Sequence, residues 1–143
     1  MPANGAVYIQ KEEKINLADV FDEVNSNKGL FRKASYYDVV LNGETVRFNV
    51  MDPSALQNHI NGFLSYINSL DHDQTRKEDT IYSISHTKTV LGLVASSEFE
   101  DNHAIWESLF KIAEKYDGFV FVNNSVLLPN GGVLVGPMLE TST

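Results

Sequence analysis

Cysteine is absent from the 143 residues. That excludes a disulfide scaffold, a thiolate nucleophile and any cysteine-ligated zinc or iron–sulfur centre, and it fits a reducing compartment. Basic residues are scarce: 11 Lys and Arg against 19 Asp and Glu leave a formal net charge of −8. Sequence-independent nucleic-acid binders draw their affinity from Lys and Arg on phosphates, and anionic membrane surfaces attract the same residues. Neither partner suits this chain, whereas a basic protein partner would be steered towards it. Long hydrophobic runs are missing too. The longest uncharged stretch, 118–139, is broken by Asn123-Asn124 and Pro129-Asn130-Gly131-Gly132, so no transmembrane helix is expected. No apolar segment follows a basic start, so no signal peptide is expected either. The general appearance is that of a bacterial, cytoplasmic protein.

The strong chemical motifs are also absent. There is no Gly-rich phosphate loop ending in Lys-Ser/Thr, no Gly-x-Gly-x-x-Gly, no Gly-x-Ser-x-Gly, no His-Glu-x-x-His and no EF-hand loop. Gly131-Gly132 lies in a strand–turn–strand context and reads as turn chemistry. No cofactor is implied.

What is present is enough for one folded domain over 1–143. Hydrophobic residues make up 43% of the chain and aromatics 10%, which excludes wholesale disorder, and the length allows a core without staples. Ala6 to Gln10 reads as a first strand. Asn16 is a helix cap, with Leu17, Val20, Phe21 and Val24 at helical spacing and Asn27-Lys28-Gly29 as the stop. Tyr36–Leu41 and Thr45–Val50 flank Asn42-Gly43, a type I′ hairpin signal. Asp52-Pro53 starts a helix expected to run to about Leu70. The segment Asp71 to Asp79, six of its nine residues charged, reads as a solvated, mobile loop. Thr80–Ser85 and Thr89–Ala95 read as strands, the second apolar on both faces. Ser96 or Ser97 is expected to cap a helix that runs to Tyr116 and stops at Asp117-Gly118. Phe119–Val122 is a strand, and Val126–Leu128 with Val133–Val135 a final hairpin.

Three helices alternating with strand pairs point to an α+β fold. The expectation is a two-layer α/β sandwich on a mixed, mostly antiparallel sheet, with a ferredoxin-like core plus extra hairpins as one candidate. The fifth strand, third helix and sixth strand would form a right-handed βαβ unit.

Three constellations invite chemistry. Glu100, His103 and Glu107 would share one helix face, but with Lys111 and Glu114 beside them they read as a solvent face rather than a metal site. His59 falls at the edge of the apolar stripe, close to Ala55, Leu56, Phe63 and Tyr66, and is expected to be partly desolvated. It is the candidate acid or base of a pocket. Ser83, Ser85, His86, Thr87 and Lys88 lie at or beside a strand end, and Ser83, Ser85, His86, Tyr82 or Lys88 would be polar partners for His59. Ser85 and His86, adjacent on a strand, would point to opposite faces and could not pair there. His72, between two aspartates, reads as solvated.

The most unusual feature is again an absence. Pro53 to Leu70 carries no charge, whereas a composition of 21% charged residues implies about four. The polar face is Ser54, Gln57, Asn58, Asn61, Ser65 and Asn68. Interface cores are depleted of charge, so Asn58, Asn61, Ser65 and Asn68 are expected to be covered by the chain itself or by a partner. The final hairpin lacks the charged gatekeepers of exposed edges, so it is expected either to pair inside the sheet or to pair with another molecule, strand addition to a second copy being one option. The leading expectation is a non-enzymatic protein-interaction or regulatory domain, a homodimer among the options. The alternative is a small enzyme or small-molecule sensor using His59, Ser85 and His86.

Overall fold

The computed structural model describes residues 2–28 and 33–141, apart from the side chains of 140 and 141. Eight strands form one sheet: β1 (Ala6–Ile9), β2 (Val24–Ser26), β3 (Tyr36–Leu41), β4 (Glu44–Val50), β5 (Thr89–Val94), β6 (Phe119–Val122), β7 (Ser125–Leu127) and β8 (Val133–Val135). Their spatial order is β2-β3-β4-β5-β1-β6-β7-β8, and every neighbouring pair is antiparallel. The helices are α1 (Pro53–Ser69), α2 (Gln74–Ser85), α3 (His103–Tyr116) and the short α4 (Pro137–Thr141). The α+β class is as expected, with four helices instead of three and a sheet larger than a ferredoxin-like core.

The expected two layers become three over half of the sheet. Side chains alternate along each strand, so each strand feeds two cores. Val7, Ile9, Leu91, Leu93, Val120 and Val122 pack with Ile105, Leu109 and Ile112 of α3. Tyr8, Val90 and Val126 pack on the other face with Ile60, Phe63 and Ile67 of α1 and Ile84 of α2. Over β3 and β4 that second face is open. There Arg47 forks onto Asp38 at 2.8 and 3.0 Å and lies 3.8 Å over the Tyr36 ring. The β5-α3-β6 unit is present in split form: β5 and β6 run parallel because each is antiparallel to β1, which lies between them.

Local chemistry explains the elements read correctly. Asn42 and Gly43 take φ of 50° and 80° in the β3–β4 turn, as a type I′ turn requires. Asp52 caps α1 by accepting from the Ser54 N–H, with Pro53 in the first turn. Asp117 closes α3 at φ 55°, in the left-handed region.

Three expected elements are corrected. The first helix is a single 3-10 turn, Leu17–Asp19, followed by β2. Pairing of Val24 with Val39 outweighs local helical spacing; the expected stop at Gly29 lies outside the described residues. The charged loop and the strand at Thr80–Ser85 are together the helix α2, capped by Asp73 onto the Arg76 N–H. Its inner stripe is Lys77, Thr80, Ile81 and Ile84. This is helical spacing, with the aliphatic stem of Lys77 standing in for an apolar residue. Helix α3 begins at His103, not at Ser96 or Ser97. Those two N–H groups instead bind the Glu44 carboxylate, each at 3.2 Å, and a separate turn on the Glu98 carbonyl intervenes. Among the described residues no helix is long and apolar enough to cross a membrane.

Candidate functional site

The sheet register builds a groove. On the α1 face, Asn49, Gly92, Ala6 and Phe121 lie side by side across β4, β5, β1 and β6. In the next row, Val90 pairs with Tyr8 and Tyr8 with Phe119, and α1 covers this row. The small residues Gly92 and Ala6 therefore lie beside a filled row. A Cβ added at Gly92 would meet nothing within 4 Å. The result is a groove of about 1000 Å³ whose lining includes Tyr8, His59, Asn49, Met51, Gly92 and Phe121. It continues around the end of the sheet to Asn4, Asn123, Asn124, Phe99 and Trp106.

One wall is aromatic. Tyr8 and Phe63 have ring centroids 4.7 Å apart, and Phe63 and Phe121 4.8 Å in an edge-on arrangement. The Tyr66 hydroxyl donates to the Asn124 carbonyl at 2.6 Å, tying α1 to the β6–β7 turn. His59 is at the rim of this wall. It is exposed, not desolvated as expected, and its Nε2 lies 2.7 Å from the Tyr8 hydroxyl. Tyr8 is 3% exposed, and burial pushes its phenol far above the ordinary value, so the hydroxyl keeps its proton in this bond.

The charged residues of the lining, Glu98 and Glu100, are both acidic, and no Lys or Arg is among them. The Asn49 side chain is exposed and makes no hydrogen bond among the described residues. A groove of this kind can bind and orient a small molecule through an apolar floor, one aromatic wall, an amide and an imidazole.

The other candidates do not converge on it. Ser85 and His86 end a helix rather than a strand, so, contrary to expectation, they do touch, at 3.2 Å. They nevertheless form no nucleophile–base pair. Ser85 donates to the Tyr82 carbonyl at 2.6 Å, and His86 Nδ1 lies 2.7 Å from the same oxygen. Nδ1 must carry a proton to make that bond and cannot accept one from serine. His59 bonds to Tyr8 on β1, not to a serine. Glu100 precedes α3, so the expected shared helix face reduces to His103 and Glu107, both exposed, at 3.6 Å. Among the described residues no group of three or more His, Asp or Glu is placed to hold a metal. His72 is half-buried and accepts the Gly136 N–H at 2.9 Å, instead of standing free in a loop.

The asparagine face is not covered by the chain. Asn58, Asn61, Ser65 and Asn68 are all exposed, and Gln57 donates to Asn61 along the surface at 2.8 Å. The final hairpin is paired within the sheet on one side. The β7 strand lies inside the sheet, and the edge strand β8 has its Leu134 carbonyl engaged by Arg76 of α2 at 3.0 Å. Sequence reasoning found His59 but missed Tyr8, Asn49 and Gly92. The signal for Gly92 was a lone glycine in the apolar run of β5, a sign of open space or close approach.

Comparison with known proteins brings no match. No family model fits the sequence, and neither a curated protein nor a solved structure is similar to it.

Proposed function

We propose that this domain binds a small molecule in the groove between α1 and the β4-β5-β1-β6 floor, with His59 and Asn49 as its polar contacts. The observation that carries this reading is the open floor at Gly92 and Ala6 next to the Tyr8–His59 pair. The floor lacks side-chain bulk at Gly92, where an added Cβ would meet nothing, and an aromatic wall of Tyr8, Phe63 and Phe121 flanks it. Beside that floor stands a histidine held by a buried phenol. Among the described residues the hydroxyl bonded to His59 is the buried Tyr8 phenol, which holds its proton tightly, and this favours binding or sensing over covalent catalysis.

Gly92→Leu tests the reading. The new side chain meets no atom at its Cβ and projects into the groove. In a fragment screen read by amide chemical shifts, wild-type protein is expected to yield binders that move Ala6, Gly92 and Phe121, and the variant is expected to lose them. Binders that survive Gly92→Leu, or an empty screen, would contradict the reading.

A second reading rests on a different observation: the outer face of α1 is exposed and carries no charge over its full length. That suits a protein partner or a second copy of the chain. Sedimentation velocity checks the self-association form. A concentration-dependent dimer abolished by Asn61→Lys with Asn68→Lys supports it, and a strict monomer at high concentration removes it.

A further inference from the structure

The last strand of the sheet is fastened to the α1–α2 junction by a histidine that takes no part in the groove. We infer that His72 is a pH-released latch: as a neutral imidazole it holds the β8–α4 junction to the α1–α2 junction, and on taking up a proton it lets go. The bond that carries this inference runs from the Gly136 N–H to His72 Nε2, at 2.9 Å and across 64 positions. A main-chain N–H can only donate, so Nε2 is bare and the ring is neutral, with its proton on Nδ1. A protonated ring has a donor on each nitrogen, and two donors cannot share the contact. The contact is part-buried, so an N–H left there without an acceptor is costly.

Two side chains of this junction act on one edge. β8 ends the sheet, and Arg76 donates to the Leu134 carbonyl at 3.0 Å, two residues before Gly136. One donor and one acceptor thus cover main-chain groups at the sheet's end, as edge strands require. Gly136 is seated at φ 112° against Ser125 and the Asn124 carbonyl, and the Ser125 hydroxyl accepts the Met138 N–H at 2.9 Å. The latch therefore bears on the β6–β7 turn and on the start of α4. The charges around it are one-sided. β6, β7, β8 and α4 as far as Leu139 offer neither charge nor histidine, since none occurs from Gly118 to Leu139. This end of α1 offers the Tyr66 phenol, which donates to the Asn124 carbonyl. On α2, Arg76 and the buried Lys77 are engaged by carbonyls, and Glu78 and Asp79 are exposed. Asp71 and Asp73 flank His72 in the chain and are exposed, Asp73 also capping α2. A charged ring that turns outward meets these carboxylates, whereas one that stays inward meets a donor. The latch thus has two states, and the proton selects between them.

Amide and histidine-ring NMR spectra of the intact chain, recorded from about pH 8 down to about pH 5, test the latch. The Gly136 amide is expected to shift with the same midpoint as the His72 ring. Its protection against exchange, corrected for the intrinsic rate at each pH, is expected to fall about tenfold as the ring takes up its proton. His72→Gln sets an amide oxygen where Nε2 stands and does not titrate, so Gly136 is expected to stay protected throughout. His72→Ala removes the acceptor and is expected to show the low protection at both ends of the range. His59, His86 and His103 are present in every variant, so a response caused by them would persist in His72→Gln. The inference is overturned if Gly136 does not respond while His72 titrates, if the response persists in His72→Gln, or if His72 stays neutral to the bottom of the range.

Discussion

The Tyr8 hydroxyl and His59 Nε2 are 2.7 Å apart, although 51 positions separate them in sequence. Their rings are nearly parallel, with an interplanar angle of 10°. Tyr8 is under α1 and His59 is on its solvent side, so the pair joins the core to the groove rim. Tyr8→Phe keeps the ring and removes the donor. It is expected to destabilise the fold by about 1 kcal/mol and to release the His59 ring from β1. Equilibrium urea unfolding checks the first, and a shift of the His59 ring resonances in the variant checks the second.

Alkali should weaken the fold. Burial raises the phenols of Tyr8, Tyr37, Tyr66 and Tyr116 above the ordinary value of 10.0. A group that holds its proton more tightly when folded contributes stability that is complete below the unfolded value and is lost as pH rises through the folded one. Denaturant melts should therefore be flat in this respect up to about pH 9 and fall above 10, with a shallower fall in Tyr8→Phe.

Acid should loosen a different contact. The Ser97 hydroxyl, then the N–H groups of Ser97 and Ser96 and the Asn102 amide, hold the Glu44 carboxyl below the ordinary 4.5. These bonds fasten the β5–α3 segment to the β3–β4 hairpin. The stabilisation is present above 4.5 and lost as pH falls through the folded value. Glu44→Gln should lower the melting temperature at neutral pH and flatten its decline in acid, as scanning calorimetry at several pH values would show.

Two glycines should respond oppositely to the same change. At Gly136, φ is 112° and a Cβ would lie 2.5 Å from Ser125 Cα, whereas at Gly92 it would meet nothing. Gly136→Ala is expected to cost at least about 2 kcal/mol, and Gly92→Ala less than about 1 kcal/mol in either direction. Equilibrium urea unfolding distinguishes them.

Lys77 is 9% exposed, and its ammonium donates to the Asn68 and Leu70 carbonyls at the end of α1, each at 3.0 Å. Lys77→Met keeps the stem and strands both acceptors. A loss of about 1–3 kcal/mol is expected, with the fastest amide exchange appearing at the α1–α2 junction.

Much of this architecture is legible in the chain because its signals are local. Asn42-Gly43, Asp52-Pro53 and the apolar run of β5 each set a backbone state within a few residues. The misreadings occur where distant partners decide. Val24 becomes a strand residue because Val39 awaits it. Thr80–Ser85 looks like a strand until the stem of Lys77 is counted as apolar, and Ser85 and His86 then meet. The groove is half legible. His59 stands out as an imidazole on an apolar edge, but its bond to Tyr8 and the empty row at Gly92 depend on the register of four strands. The covering expected over Asn58, Asn61, Ser65 and Asn68 is not supplied by the chain itself.

The most direct measurement is an amide chemical-shift titration of wild type and Gly92→Leu with a fragment set. A ligand-binding groove predicts shifts concentrated at Ala6, His59, Gly92 and Phe121 in the wild type and none of them in the variant. Shifts elsewhere, or the same shifts in both proteins, would contradict it.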